Sequence, residues 1–148
     1  MDGRIDVERA SGGRFGADPM QALAAFDALR DWAAAHPGAA TGPLPPEAEL
    51  GPPVPRPSKV FGIGLNYLAH AREAGLEIPK SPLVFTKFPS CLAGPCAEVP
   101  LSSDRVDFEV ELVAVIGRGG RRIAADRALE HVAGYCVGQD VSDRRVQF

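Results

Sequence analysis

The segment over residues 42–57 most constrains what this chain can fold into. It holds seven prolines in sixteen residues, and proline lacks the N–H group that helix interiors and central strands require. We therefore expect an extended connector there. It divides the chain into an N-terminal segment with one helix, residues 1–55, and a domain over residues 56–148. The 16 glycines and 14 prolines among 148 residues also favour strands joined by turns over a helical bundle.

Charge and hydropathy exclude several classes of protein. The chain has 16 basic and 19 acidic residues and a net charge of −3, which gives no electrostatic footprint for nucleic acid. The longest strongly apolar stretch, Leu112 to Ile116, is too short to cross a bilayer, and the N-terminus lacks the apolar stretch of a signal peptide. Three cysteines are too few for a disulfide framework. We expect a cytoplasmic protein with reduced thiols, which are those of Cys91, Cys96 and Cys136.

Local signals predict one helix in the N-terminal segment. Asp18 is a good N-cap, Pro19 fits the first turn, and apolar residues recur on one face from there onward. The sequence His36-Pro37-Gly38 ends the pattern. Residues 1–17 are polar and rich in glycine, which is typical of a ragged start or a weak pair of strands.

The pattern over residues 56–148 predicts a strand-rich α+β fold. Apolar runs bounded by turn residues are typical of strands, and we expect two short helices between them, the first capped by Asn66. The predicted strands cover residues 60–65, 83–88, 107–116 and 132–137, and the predicted helices cover residues 67–73 and 124–131.

The alternating sequence from Asp107 to Glu111 is the sharpest local feature. In a strand, side chains at i and i+2 point from the same face, about 6.5–7 Å apart, so Asp107, Glu109 and Glu111 would lie together. A solvated acidic face is one interpretation. However, the strand continues into the apolar run from Leu112, which we expect to be interior, and carboxylates near a core are costly unless paired or metal-bound. With Asp140 from another strand end, they would form an all-oxygen site suited to Mg²⁺, Mn²⁺ or Ca²⁺.

A second candidate group lies on the first predicted helix of the domain. His70 and Glu73 are three residues apart and would share one helix face. A carboxylate that orients a histidine makes that histidine a usable general base. The alternative is an ordinary surface pair. Lys87 and Arg144 are candidate anion-binding residues, for which plain exposure to solvent is the alternative.

Several short motifs follow one another in a specific order over about residues 56–148. They are Gly62–Tyr67, His70, Glu73, Phe85–Ser90, Asp107–Leu112, Ala133–Tyr135, Gln139–Ser142, Arg144 and Gln147. Each motif is weak alone, but their ordered combination is specific. In this combination the chain resembles the fumarylacetoacetate hydrolase family.

The resemblance implies a mixed β-roll around a site for Mg²⁺ or Mn²⁺, with Ca²⁺ as a third option. The Glu-x-Glu pair and the following Asp of the family correspond to Glu109, Glu111 and Asp140, which the resemblance makes metal ligands. A divalent cation there would polarise a 2-oxo acid and stabilise the negative charge that develops when a C–C bond breaks.

The resemblance also implies roles for four other residues. His70 and Glu73 match the pair that activates water, and Arg144 and Gln147 match residues that contact the substrate. Members cleave a C–C bond hydrolytically, decarboxylate oxaloacetate-like acids or isomerise dienedioates. We expect a metal-dependent hydrolase of an acylpyruvate or other β-diketo acid, active in aromatic catabolism, with a decarboxylase or isomerase on the same metal site as the alternative.

Two departures from the family pattern qualify these expectations. Many members have Ala-Arg-Asp where this chain has Asp143-Arg144-Arg145, which bears on substrate preference. The sequence also ends at Phe148, whereas the family domain continues, so we expect a C-terminally incomplete roll. An alternative of another class is therefore a truncated, inactive chain, or one half that needs a complementary chain. If the chain folds, the expected partners are a small-molecule acid and a second copy in a homodimer, with no nucleic acid and no membrane.

Overall fold

The computed structural model describes residues 4–39, 42–43 and 45–147, and the predictions that fall on residues 1–3, 40, 41, 44 and 148 lie outside this part. Contacts divide the chain into two compact units: Met1–Pro55 with Gly94–Phe148, and Arg56–Ala93. The division into domains at residues 55 and 56 stays a prediction, whereas these contacts group the C-terminal residues with the N-terminal segment.

Two consecutive helices replace the single helix predicted for the N-terminal segment. They are α2, Pro19–Ala24, and α3, Phe26–Ala35. Asp18 caps α2 as predicted, because its carboxylate accepts a hydrogen bond of 3.0 Å from the N–H two residues later. The prediction of an unbroken helix is wrong at Ala25, where the backbone turns to φ −107° and ψ 24°. The chain then restarts a helix that ends at the predicted place, with His36 as its C-cap.

A short helix precedes these two. The helix α1 covers Val7–Ala10, and the carboxylate of Asp6 caps it by accepting the N–H of Arg9 at 3.0 Å. The sequence predicted a ragged start or a weak strand pair over residues 1–17, which is wrong for this stretch. The reason is the Asp6 cap, whose local effect outweighs the glycines that follow.

An aromatic cluster forms the core of the first unit. Phe15 and Trp32 are only 7% and 8% exposed, and their rings meet edge to face with centroids 5.9 Å apart. The ring of His36 stacks on Trp32 at 4.9 Å, and the guanidinium of Arg14 lies 5.1 Å from the centroid of the Phe15 ring. This cluster attaches α3 to the loop that precedes α2.

The connector contains one turn of 3₁₀ helix, Glu47–Glu49. A β-bridge holds the beginning of the connector, in which the N–H of Arg4 donates to the carbonyl of Gly42 at 2.9 Å. Within the described part of the chain, no helix is long and apolar enough to cross a membrane.

Two short strands pair in the C-terminal part of the first unit. They are β3, Val106–Asp107, and β6, Ser142–Asp143, and they run antiparallel. The predicted strand over residues 107–116 is therefore interrupted. The interruption follows Asp107, whose carboxylate accepts the N–H of Phe108 at 2.9 Å and so takes this donor out of strand pairing.

The longest strands form an antiparallel hairpin. They are β4, Val110–Ile116, and β5, Val132–Gln139, which runs two residues beyond its predicted end. A 3₁₀ helix, Ala125–His131, precedes β5 where a short helix was expected. The pairing shifts between Val115 and Ile116, so the hairpin is regular from there to its Val110 end.

The apolar face of this hairpin is largely exposed. Leu112 and Val137 lie directly opposite each other, yet they are 65% and 80% exposed, and Ile116 is 62% exposed. The expectation that this part of β4 is interior is wrong for the described residues. The physical reason is that β4 and β5 form a two-stranded sheet, and no further strand or helix of the described chain covers this face.

The second unit contains an antiparallel pair of strands and one helix. The strands are β1, Val60–Gly64, and β2, Leu83–Lys87, followed by a 3₁₀ turn at Pro89–Cys91. Gly62 lies opposite Phe85, and a Cβ atom on Gly62 would come within 2.2 Å of the Phe85 ring. Only glycine therefore leaves room for this ring to lie across β1.

The helix α4, Leu68–Glu73, begins after Tyr67, which occupies the N-cap position. The prediction that Asn66 caps the helix is wrong, because the extended backbone continues one residue further and no side chain caps α4. Ala71 is 1% exposed and is the buried residue of this helix. Gly75, with φ +65°, ends it as predicted. The architecture is thus a mixture of short helices and antiparallel strands.

Candidate functional site

The end of the β4–β5 hairpin brings two of the predicted metal ligands opposite each other. Val110 pairs with Gln139 in the ladder, and the N–H of Asp140 donates to the carbonyl of Glu109 at 2.8 Å. This bond extends the ladder by one residue pair, so Glu109 and Asp140 are cross-strand neighbours. Directly opposite residues in antiparallel strands point to the same face.

Glu111 lies on that face as well. It is two residues beyond Glu109, and its partner across the ladder is Gly138. A Cβ atom on Gly138 would lie 4.0 Å from the Cβ of Glu111 and 2.7 Å from Cγ2 of Val113. The absence of a side chain at Gly138 therefore makes room for the Val113 methyl group beside Glu111, and the three carboxylates share one face of the hairpin.

These three side chains share a face without converging on one point. Within the described ranges, no group of three or more His, Cys, Asp or Glu side chains is placed so that it could hold a metal ion. The donor set nevertheless fits a hard divalent cation, since Glu109, Glu111 and Asp140 offer carboxylate oxygens only. Their role as metal ligands stays a prediction.

The guanidinium of Arg144 lies against this face. Its Nη1 forms an ion pair with Oε1 of Glu109 at 2.5 Å, and its Nη2 donates to Oδ2 of Asp107 at 3.1 Å. Two hydrogen bonds raise the pKa of Arg144 above its ordinary value. The one to Glu109 has the larger effect, and the one to Asp107 has the second largest. The hydrogen bond from Arg144 is the largest cause that lowers the pKa of the Asp107 carboxyl, and the hydrogen bond from the N–H of Phe108 is the second largest. The Asp107 carboxylate is thereby held in the charged form next to a cation.

The structure brings the two predicted substrate-contacting residues together. Nη1 of Arg144 donates to Oε1 of Gln147 at 2.8 Å. The backbone N–H of Arg144 donates to the carbonyl of Arg105 at 3.0 Å, which continues the β3–β6 pairing and fixes the start of the side chain. Arg144 and Gln147 thus form one polar group with Glu109, and their contact with a substrate stays a prediction.

Asp107 has a different role from the one its alternating pattern suggests. The sequence groups it with Glu109 and Glu111 as a third carboxylate on a strand face. In the structure it belongs to β3 and is a partner of Arg144. No local sequence signal reveals this role, because it follows from the pairing of Ser142–Asp143 with β3, which brings Arg144 beside Asp107.

Asp143 is a polar centre that sequence reasoning noticed only as a departure from the family pattern. Its carboxylate accepts the hydroxyls of Ser102 at 2.6 Å and Ser103 at 2.8 Å, and the N–H of Arg145 at 3.0 Å. The Ser102 bond is the largest cause that lowers the pKa of Asp143, followed by the Arg145 N–H and the Ser103 bond. The residue therefore holds the loop before β3 to the start of the Arg144 segment.

The predicted water-activating pair lies in the second unit. His70 and Glu73 are both exposed and sit three residues apart on α4. Within the described part of the molecule, no hydrogen bond or ion pair joins their side chains. Helical spacing places them on one face, and their catalytic role stays a prediction. The candidate anion-binding residue of this unit, Lys87, has its Nζ 5.7 Å from the centroid of the Phe85 ring.

Comparisons with known proteins find similar sequences in several organisms. A protein from Dictyostelium discoideum, named fumarylacetoacetate hydrolase domain-containing protein 2 homolog, is 51% identical over 90 residues, which is 60% of this chain and 30% of that protein. Human mitochondrial oxaloacetate tautomerase FAHD2A is 46% identical over 110 residues, which is 72% of this chain and 35% of the human protein. The chain thus spans about a third of the length of these curated relatives.

A solved structure and a family match complete the comparison. The crystal structure of an HpcE-type protein from Mycobacterium smegmatis superposes with a TM-score of 0.83 at 48% identity, over 99% of this chain and 52% of that one. The family described as fumarylacetoacetate (FAA) hydrolase C-terminal matches residues 59–148. Since this match covers more than half of its residues, the chain belongs to the fumarylacetoacetate hydrolase family.

Proposed function

We propose that this chain carries the metal-binding part of an enzyme that hydrolyses a C–C bond in an acylpyruvate or related β-diketo acid. The observation that supports this most is the pairing of Glu109 with Asp140 across the hairpin, with Glu111 on the same face. Backbone pairing fixes the Cα positions of all three, so modest side-chain rotations suffice to aim their carboxylates at one cation.

The metal in this proposal is Mg²⁺ or Mn²⁺, with Ca²⁺ as a third option, held by Glu109, Glu111 and Asp140. Oxygen-only donor sets favour such hard cations over zinc. When bound, the cation supplies Lewis-acid stabilisation of the negative charge that develops on the oxygens of a 2-oxo acid.

The polar residues beside the hairpin bind and orient the acid. The planar guanidinium of Arg144 can donate two parallel hydrogen bonds to a carboxylate, and Gln147, already bonded to it, positions that fork. In the same proposal, Glu73 orients the ring of His70, which takes a proton from the attacking water.

A second candidate reaction is tautomerisation of an oxaloacetate-like acid on the same site. The observation that favours it is the 46% identity with human oxaloacetate tautomerase FAHD2A. In this reaction His70 would take a proton from the carbon next to the 2-oxo group while the 2-oxo oxygen gains one from solvent, and no bond between carbon atoms would break. The two candidates therefore use the same binding residues and differ in whether water attacks the substrate.

The experiment compares three reactions with Mg²⁺ or Mn²⁺ present. These are loss of the enol absorbance of an acylpyruvate, keto–enol conversion of oxaloacetate, and release of pyruvate by decarboxylation of oxaloacetate. We expect turnover in the first, and replacement of Asp140 by Asn or of Glu111 by Gln to lower kcat/KM by about 100-fold or more. The control Glu98→Gln alters an exposed carboxylate of the same unit and leaves the rate unchanged.

The outcomes separate the candidates. Turnover of oxaloacetate tautomers alone selects the second reaction, and pyruvate release alone selects a decarboxylase. No metal-dependent turnover of any of these acids, or equal rates for the chain and its Asp140→Asn variant, contradicts the proposal.

The same proposal includes the finer features expected of the family. These are a mixed β-roll around the metal site, a homodimer and a cytoplasmic location, although the name of the human relative places that protein in mitochondria. Sedimentation at several concentrations tests the homodimer, for which a purely monomeric profile is the contradicting result.

A further inference from the structure

One cation already occupies the carboxylate face of the hairpin. The guanidinium of Arg144 contacts Oε1 of Glu109 at 2.5 Å, Oδ2 of Asp107 at 3.1 Å and Oε1 of Gln147 at 2.8 Å. The side chains of Arg144 and Glu109 are only 34% and 31% exposed. The Glu109 contact is therefore better shielded from solvent than the Arg30–Asp27, Arg127–Glu130 and Arg145–Asp104 ion pairs, whose side chains are mostly more than half exposed.

A divalent ion at this face would need the same Glu109 oxygens. Glu109 is held opposite Asp140 by its backbone, so its carboxylate can turn either toward Arg144 or toward Glu111 and Asp140. A guanidinium and a divalent cation in contact with one carboxylate also repel each other. The two cations must therefore compete for Glu109.

The guanidinium of Arg144 keeps two other partners when a divalent cation displaces it from Glu109. Its bonds to Asp107 and Gln147 do not involve the hairpin face, and its backbone is held by the N–H bond to Arg105. Release from Glu109 would leave the guanidinium bonded to Asp107 and Gln147, and one N–H of Nη1 could then donate to an incoming carboxylate.

We propose that Arg144 is an internal counter-ion of the carboxylate face, bonded to Glu109 when no metal is bound and released from it when a divalent cation binds. This inference rests on the metal site of the proposed function. It makes Arg144 a positioning residue whose availability to substrate depends on metal loading, so that the metal binds first and the acid second.

Metal affinity provides a readout that does not depend on turnover. Binding of Mn²⁺ to the full chain is measured by the loss of the electron paramagnetic resonance signal of free Mn²⁺. We expect Arg144→Gln to tighten binding about three- to fivefold, since an ion pair of this exposure is worth about that factor. Arg144→Lys keeps the charge but loses the planar fork, and we expect it to bind Mn²⁺ more tightly than wild type and less tightly than Arg144→Gln.

The matched control is Arg145→Gln. Arg145 adjoins Arg144 and carries the same charge, but it pairs with Asp104 and not with the hairpin face. We expect its Mn²⁺ affinity to stay within about twofold of wild type, since long-range surface charge effects are screened by salt. An equal gain in Arg145→Gln and Arg144→Gln would show a general charge effect and overturn the proposal.

A second measurement follows the guanidinium directly. In a titration with diamagnetic Mg²⁺, the Nε–H resonance of Arg144 is expected to shift as its bond to Glu109 breaks, while that of Arg145 stays in place. This measurement uses the wild-type chain and so does not depend on whether the Arg144 variants fold.

The outcomes distinguish this proposal from the proposed metal site on which it rests. If wild type binds Mn²⁺, Asp140→Asn abolishes the binding and Arg144→Gln leaves it unchanged or weaker, the counter-ion proposal fails and the metal site stands. If neither wild type nor Arg144→Gln binds Mn²⁺, both proposals fail. Binding by Arg144→Gln alone would be the strongest support for competition.

Discussion

Gly138 lies directly opposite Glu111 in the β4–β5 ladder, and its missing side chain makes room for the Val113 side chain beside that carboxylate. A Cβ atom at position 138 would approach Cγ2 of Val113 to 2.7 Å. Because valine is restricted at χ1, this contact cannot be relieved by a simple rotation. The geometry of the carboxylate face thus depends on a glycine as well as on the carboxylates themselves.

We therefore expect Gly138→Ala to destabilise the hairpin by about 1–3 kcal/mol, the usual range for a forced contact. The measurement is the urea midpoint followed by far-ultraviolet circular dichroism. The control is Gly134→Ala on the same strand, where a Cβ atom would meet nothing within 4 Å. Equal midpoints for the two variants would contradict the close contact at position 138.

Asp27 and Arg118 connect α3 to the turn that follows β4 through an ion pair between their side chains. The hydrogen bond from Arg118 is the largest cause that lowers the pKa of Asp27. A carboxyl whose pKa is lower in the folded state contributes stability above its unfolded-state pKa. That contribution is lost as the pH falls through the folded-state value.

We expect Arg118→Gln to raise the pKa of Asp27 toward its ordinary value, as read from the carbon-13 shift of its carboxyl. The variant should also lose less stability than wild type between neutral pH and the acid range, since the pair it lacks is the one that acid removes. Arg121→Gln in the same loop is the control and should behave as wild type. An unchanged Asp27 titration in Arg118→Gln would show that the pair does not form in solution.

Short sequence signals predicted several helix and strand ends correctly. The features that were missed depend on pairing between residues far apart in the sequence. The Asp18 cap, the stop at His36 and the Gly75 terminus each depend on a few neighbouring residues, so the sequence is sufficient for them. The ends of β1 and β2 likewise follow from apolar runs bounded by turn residues.

In the candidate site, the shared face of the carboxylates was predictable from the sequence, and the position of Arg144 was not. The alternation from Asp107 to Glu111 predicts that its carboxylates share a face, which holds for Glu109 and Glu111. It cannot reveal that β6 pairs with β3 and delivers Arg144 to Asp107, because that contact joins residues 37 positions apart. The exposure of Leu112 was missed for a related reason, since an apolar run indicates that burial is favourable and does not identify a covering element.

Asp143 connects the loop before β3 to the segment that carries Arg144. The hydroxyls of Ser102 and Ser103 and the N–H of Arg145 hold its carboxylate and lower its pKa. We expect the double variant Ser102→Ala/Ser103→Ala to raise the pKa of Asp143, read from its carboxyl carbon-13 shift. Ser81→Ala, on an exposed serine of the other unit, is the control. No change in the Asp143 titration would contradict the two serine bonds.

Trp32 is the single tryptophan of the chain, and it reports on the aromatic cluster of the first unit. Phe15 is 7% exposed and contacts the Trp32 ring edge to face. We expect Phe15→Ala to cost about 3 kcal/mol, the lower end for truncating a buried aromatic, and to shift the Trp32 emission to longer wavelength as water reaches the indole. Phe88→Ala removes a ring that is 80% exposed and should change neither property. If Phe15→Ala leaves the Trp32 emission and the urea midpoint unchanged, the cluster does not form the core of this unit, and the attachment of α3 must depend on other contacts such as the Asp27–Arg118 pair.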